Sequence, residues 1–133
     1  MSEPRDFTPQ EVKEGLDADR LILVDVREAG EYEAEHIPGA ILNPLSSFDV
    51  SAIPEGEGKD VVLSCRSGGR SARAFAQAAA AGRTLAGHLG GGIMAWKAAG
   101  FETVRAEKQG SLAPWIVGGF VAVLVVLFLL TRG

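Results

Sequence analysis

Short unbroken apolar runs alternate with amphipathic stretches along most of this chain, and the runs are of strand length. Leu21-Ile22-Leu23-Val24 and Val61-Val62-Leu63 carry an apolar side chain at every position. A strand exposed on one side alternates apolar with polar, so unbroken runs predict strands covered on both faces, as in a parallel sheet. Ala40-Ile41-Leu42, after a turn at Pro38-Gly39, and Thr84 to Leu89 predict two more short strands. Helix signals lie between them. Thr8-Pro9-Gln10-Glu11 is a capping box with proline at the first helical position, which predicts a short helix to about Leu16. Glu31 to Glu35 predicts a helical turn, and Ser71 to Ala81 a helix ended by Gly82, its Phe75 and alanines suited to close packing on a sheet. After Gly90-Gly91-Gly92, Ile93 to Ala99 predicts a last helix with Trp96 on its inner face and Gly100 as its stop. Ser46 to Asp60, holding Pro54, Gly56 and Gly58, reads as a loop. The expected fold class is α/β, a mostly parallel sheet with helices on both faces, over residues 1–105.

The C-terminal part has a different pattern. From Leu112 to Leu130 no residue is charged and the run is apolar all round. At about 1.5 Å of rise per residue it would be roughly 28 Å long, close to the ~30 Å hydrocarbon core of a bilayer, so a transmembrane helix is expected at 112–130. Residues 106–111 then form a polar linker. Arg105 and Lys108 on the domain side outnumber Arg132 beyond the run, which favours a single-pass C-terminal anchor with the domain facing the cytoplasm. The N-terminus, MSEPRDFTPQEVKE, has no apolar core of a secretory leader, so none is expected.

Charge removes one class of function. The formal net charge is −4, and all acidic residues lie before Ser111, so nucleic acid is not an expected partner.

Cys65 is the lone cysteine. That excludes an intramolecular disulfide and the usual multi-cysteine zinc sites, and a free thiol agrees with a reducing compartment. An inert buried cysteine would be followed by apolar or helix-forming residues, whereas this one opens a polar turn, Arg66-Ser67-Gly68-Gly69-Arg70, leading into the helix from Ser71. A strand end, a glycine-bearing turn and a helix N-terminus together converge backbone N–H groups on one point, which suits a thiolate or another anion. Arg66, Arg70 and Arg73 add positive charge, so the thiol is expected to titrate below its free value of about 8.5.

Other polar residues carry weaker signals. Asp25 and Arg27, at the end of a strand, fit a structural salt link. His36 beside Pro38-Gly39 fits a turn-capping hydrogen bonder, His88 has no evident partner, and Glu28 to Glu35 fits a solvated face. No metal-ligand cluster and no cofactor motif are present in the sequence.

Three ordered motifs resemble the rhodanese family. The first is Leu23-Val24-Asp25-Val26-Arg27 followed by Glu31-Tyr32, His36-Ile37-Pro38-Gly39-Ala40 and Asn43-Pro44. The second is Val62 to Ser71 around Cys65. The third is Leu89-Gly90-Gly91-Gly92-Ile93-Met94-Ala95-Trp96 with Gly100. The resemblance spans roughly residues 8 to 105; Glu35 stands where the family often has glycine, and Leu85 to His88 is unusually rich in glycine and alanine. It implies a sulfurtransferase without a cofactor, in which Cys65 carries a persulfide and Arg66, Ser67, Gly68, Gly69 and Arg70 bind substrate, supported by Asp25 and Arg27. Its implied partners are a thiosulfate-like or persulfide donor, a thiol or cyanide acceptor and a donor or acceptor protein, with the lipid bilayer added by the C-terminal run. A membrane-tethered persulfide carrier or docking module without small-molecule turnover is the alternative. A phosphatase or arsenate reductase fits less well, because only four residues separate Cys65 from Arg70, one fewer than the loop that wraps a tetrahedral oxyanion.

Overall fold

A computed structural model describes residues 3–106. They form β1 (Arg5–Phe7), α1 (Pro9–Asp17), β2 (Leu21–Asp25), α2 (Ala29–Ala34), β3 (Ile41–Leu42), β4 (Asp60–Ser64), α3 (Gly69–Ala80), β5 (Gly87–Leu89) and α4 (Gly92–Ala98). Two single 3-10 turns, Leu45–Ser47 and Val50–Ala52, lie in the long connection before β4. The five strands make one sheet in the order β1-β5-β4-β2-β3, every neighbouring pair parallel. Among the described residues no helix is long and apolar enough to cross a membrane; the span expected at 112–130 lies outside them.

The unbroken apolar runs split between the two faces of the sheet. Leu21 and Leu23 of β2, Val62 of β4 and Leu89 of β5 point to a core closed by Val12 of α1 and by Ile93 and Trp96 of α4. Val24, Val61 and Leu63 point the other way, to Ala74, Phe75 and Ala78 of α3. Small alanines let α3 lie close, while Phe75, 3% exposed, contributes on the order of 2 kcal/mol by burial. The Trp96 indole N–H also donates to the Glu102 carbonyl at 2.8 Å, so its polar edge is satisfied inside the core.

Helix ends follow the sequence signals. Thr8 Oγ1 accepts from the Glu11 N–H at 3.0 Å while the Glu11 carboxylate accepts from the Thr8 N–H at 2.9 Å, which closes the expected capping box. Gly82 ends α3 at φ +91°, with Gly82 N–H to the Ala79 carbonyl and Arg83 N–H to the Ala78 carbonyl satisfying the last turn.

Several elements differ from expectation. β1 was not anticipated: it exposes Arg5 and Asp6 and buries Phe7 alone, so it has no readable period. β5 is shorter than Thr84 to Leu89, and α3 begins at Gly69 rather than Ser71. Glu28 to Glu35 is more than a solvated face. Glu28 accepts from the Ser46 hydroxyl, Glu31 from Arg70, and Glu35 from Lys97 and Thr103, tying α2 to four distant segments.

Candidate active site

The carboxyl end of β4 delivers Cys65 to the turn that opens α3. Gly68 sits at φ +117°, a left-handed conformation that glycine adopts without a Cβ clash, and this bends the turn so that its N–H donates to Cys65 Sγ at 3.0 Å. Ser71, in the first turn of α3, places Oγ 3.5 Å from Sγ. The cysteine is 1% exposed. Burial pushes its thiol pKa up, but the Ser71 hydroxyl and the N–H groups of Ser71, Gly68 and Ser67 outweigh burial and leave it below the usual thiol value. The direction agrees with expectation; the main agents are a hydroxyl and backbone dipoles rather than arginines.

The reason is where the arginines go. Arg70 forms a two-pronged ion pair with Glu31, Nη1 to Oε1 at 2.7 Å and Nη2 to Oε2 at 3.0 Å. That bond, above the lesser effects of burial and of the Glu28 N–H, holds the Glu31 carboxyl down at about 2. Arg66 and Arg73 are exposed, as are Ser67 and Gly69. Of the five loop residues, Gly68 and Ser67 therefore act on Cys65 through their N–H groups, while the Arg70 guanidinium is paired with Glu31.

Asp25 and Arg27 come together at the end of β2 as a buried pair. Arg27 Nη2 meets Asp25 Oδ2 at 2.8 Å, its backbone N–H meets Oδ1 at 2.9 Å, and Nη2 also donates to the Glu35 carbonyl at 2.7 Å. This segment touches the strand that carries the cysteine through the Val26 N–H, which donates to the Ser64 carbonyl at 2.8 Å. His36 bonds the Tyr32 carbonyl through Nδ1 at 2.8 Å and stacks on the Tyr32 ring at 3.8 Å.

The glycine run before α4 completes the loop. A Cβ on Gly92, φ +60°, would lie 2.4 Å from the Cys65 carbonyl oxygen and 2.5 Å from Arg66 backbone atoms. Its absence lets α4 dock end-on, with Ile93 N–H donating to the Cys65 carbonyl at 2.9 Å and Met94 N–H to the Arg66 carbonyl at 3.1 Å. The Cys65 and Arg66 carbonyls are thereby taken up by the first turn of α4. Sequence reasoning also missed two residues behind Ser71: its Oγ lies 2.6 Å from His88 Nδ1, and His88 Nε2 lies 2.8 Å from Asp6 Oδ1. No local signal announces this line, because Asp6 belongs to the unanticipated β1. Among the described residues no group of acidic, histidine or cysteine side chains is arranged to hold a metal ion.

Known proteins resemble this chain in sequence and in fold. Residues 8–99 match the family model of the rhodanese-like domain. The chain is 43% identical over 102 residues to the uncharacterized protein slr1261 of Synechocystis, covering 77% of this chain and 57% of that protein's length. It is 34% identical over 91 residues to a sulfurtransferase of Allochromatium vinosum, covering 68% of this chain and 85% of that one. Among solved structures, the thiosulfate sulfurtransferase of Pseudomonas aeruginosa superposes with a TM-score of 0.66 at 28% identity, over 80% of this chain and 21% of that one.

Proposed function

This chain belongs to the rhodanese-like family, and from that premise we propose that it is a sulfurtransferase in which Cys65 carries a persulfide between a thiosulfate-like or persulfide donor and a thiol or cyanide acceptor. One observation carries the reading: a buried thiol at a strand end meets N–H donors and a hydroxyl, and its pKa is lowered despite burial. A thiolate is the nucleophile such chemistry needs. It attacks the outer sulfur of thiosulfate; a bond forms between Sγ and that sulfur, the S–S bond of thiosulfate breaks, and sulfite leaves with the electron pair. The same N–H groups then stabilise the negative outer sulfur of the persulfide. An acceptor thiolate or cyanide takes that sulfur and returns the Cys65 thiolate. No step calls on a metal or an organic cofactor.

The Arg70–Glu31 pair favours a second reading for the donor. With its charge spent on Glu31, Arg70 draws an anionic donor less strongly than a free arginine would. A persulfide handed over by a partner, with this domain as carrier, needs no such attraction. Both readings share Cys65, and one experiment addresses them. Wild type and Cys65→Ser are incubated with thiosulfate or with a small organic persulfide, then followed by intact mass and, after cyanide is added as acceptor, by thiocyanate release. One added sulfur on wild type alone supports the persulfide. Thiocyanate turnover from thiosulfate supports the enzyme, and loading from the organic persulfide alone supports the carrier. The same adduct on Cys65→Ser, or none on wild type from either donor, would sink the proposal.

A further inference from the structure

Four side chains from four segments form one hydrogen-bonded line that begins at the reactive sulfur and ends at the surface. β1 pairs with β5 so that Asp6 lies opposite His88, and β5 pairs with β4 so that His88 lies opposite Leu63. In-register neighbours of a parallel sheet point to the same face, and Leu63 packs against α3, so Asp6 and His88 face α3 as well. Ser71 comes down from α3 to meet them. The distances along the line are 3.5 Å from Cys65 Sγ to Ser71 Oγ, 2.6 Å to His88 Nδ1, and 2.8 Å from His88 Nε2 to Asp6 Oδ1. The His88 side chain is 10% exposed and that of Asp6 75%.

Hydrogen-bond roles follow from the far end. An ionised carboxylate can only accept, so Nε2 carries a proton toward Asp6 and leaves Nδ1 free to accept from the Ser71 hydroxyl. We infer that Asp6, His88 and Ser71 are a proton relay for Cys65, with His88 a positioning residue that receives the thiol proton through Ser71. As Sγ gives its proton to Ser71 Oγ, the Ser71 hydroxyl proton passes to His88 Nδ1. The product is a thiolate that accepts from the hydroxyl, an imidazolium that donates to it, and a carboxylate facing the imidazolium. No proton enters or leaves the line. The Gly68 carbonyl, 3.1 Å from Ser71 Oγ, competes for the hydroxyl proton in the thiol state. Beside the imidazole lie Leu63 of β4, which is apolar, and Gly68 of the cysteine loop, which has no side chain.

The inference rests on the proposed sulfur chemistry for its purpose, but its test does not. Because Cys65 is the lone cysteine, thiolate ultraviolet absorbance and alkylation by iodoacetamide on the full-length protein report this thiol directly. In His88→Gln and in Ser71→Ala the thiolate midpoint should rise by about one unit, a roughly tenfold loss of thiolate near pH 6, with alkylation rates converging on wild type near pH 10. Asp6→Asn, at the exposed end, should shift it in the same direction by about threefold at most. The double variant His88→Gln/Ser71→Ala should be no worse than either single one, since both interrupt one line. A merely structural role would lower the alkylation rate at every pH. That result, or a His88→Gln titration superimposable on wild type, would overturn the relay. Failure of wild type to take up sulfur would overturn the sulfurtransferase reading and leave the titration result intact.

Discussion

The carboxyl ends of β2 and β4 lie side by side, Asp25 in register with Ser64, yet they put buried polarity to opposite uses. At the end of β2 the Asp25 carboxylate and the Arg27 guanidinium, 4% and 6% exposed, meet each other, and the Arg27 N–H and the Glu35 carbonyl take up further bonding capacity. Two full charges are locked by partners from nearby residues. At the end of β4 a single ionisable sulfur is buried against donors that carry no formal charge. Burial and hydrogen bonding oppose each other there, and the protonation state hangs on their difference. A pair matched in charge makes a frame; a thiol set between opposing effects makes a reactive group.

The largest effect expected from breaking this comparison is on the frame. Arg27→Ala leaves Asp25 buried without its counter-ion, which should cost about 3–5 kcal/mol, a large part of the stability of a domain this size. Urea unfolding followed by circular dichroism measures it, and a loss below about 1 kcal/mol would show that Asp25 is neutral or hydrated in the fold.

A smaller effect is expected where α4 meets the cysteine loop. Gly92→Ala should cost about 2 kcal/mol, since its Cβ would press on the Cys65 and Arg66 backbone and its φ of +60° disfavours alanine. It should also move the N–H cradle and raise the thiolate midpoint. Thermal unfolding and thiolate absorbance on the same sample check both parts.

The smallest effect is on the partly exposed pair that joins α2 to the loop. Glu31 is held at about 2 in the fold, below the ~4.3 of an unfolded glutamate, so it adds stability that is present above the unfolded value and is lost as pH falls toward 2. Glu31→Gln should lower stability above pH 5 by the small, solvent-screened amount the pair contributes and converge on wild type near pH 2, so that its decline between about pH 4 and 2 is flatter. Equal acid slopes for the two proteins would show that the bond to Arg70 is not maintained in solution.

Legibility in the sequence followed locality. The strands β2 and β4, the capping box at Thr8 and the turn after Cys65 were readable because adjacent residues decide them. β1 was not: three residues with Phe7 alone inward have no pattern until β5 supplies their hydrogen bonds. The Cys65 loop was foreseen, but not the agents that tune its sulfur. Arg70 is separated by 39 residues from the carboxylate that neutralises it, and Asp6 by 82 from the imidazole it meets. Side-chain type and spacing say what a residue can do. Only the pairing of distant strands says which partner reaches it first.

That pairing also sets an order in time. β1 and β5 neighbour each other at one side of the sheet although they are the first and last strands among the described residues, while the central pair β2 and β4 is complete by residue 64. A nascent chain ending before Gly87 thus contains Cys65 and its turn but lacks α4, whose N–H groups cap the Cys65 and Arg66 carbonyls. The thiol acquires its finished surroundings only when translation has passed residue 94, and β1 has no partner strand until residues 87–89 are made. The surroundings of the thiol are therefore completed from its C-terminal side, and a domain cut before Ile93 would keep Cys65 and its turn without the N–H groups that hold the Cys65 and Arg66 carbonyls.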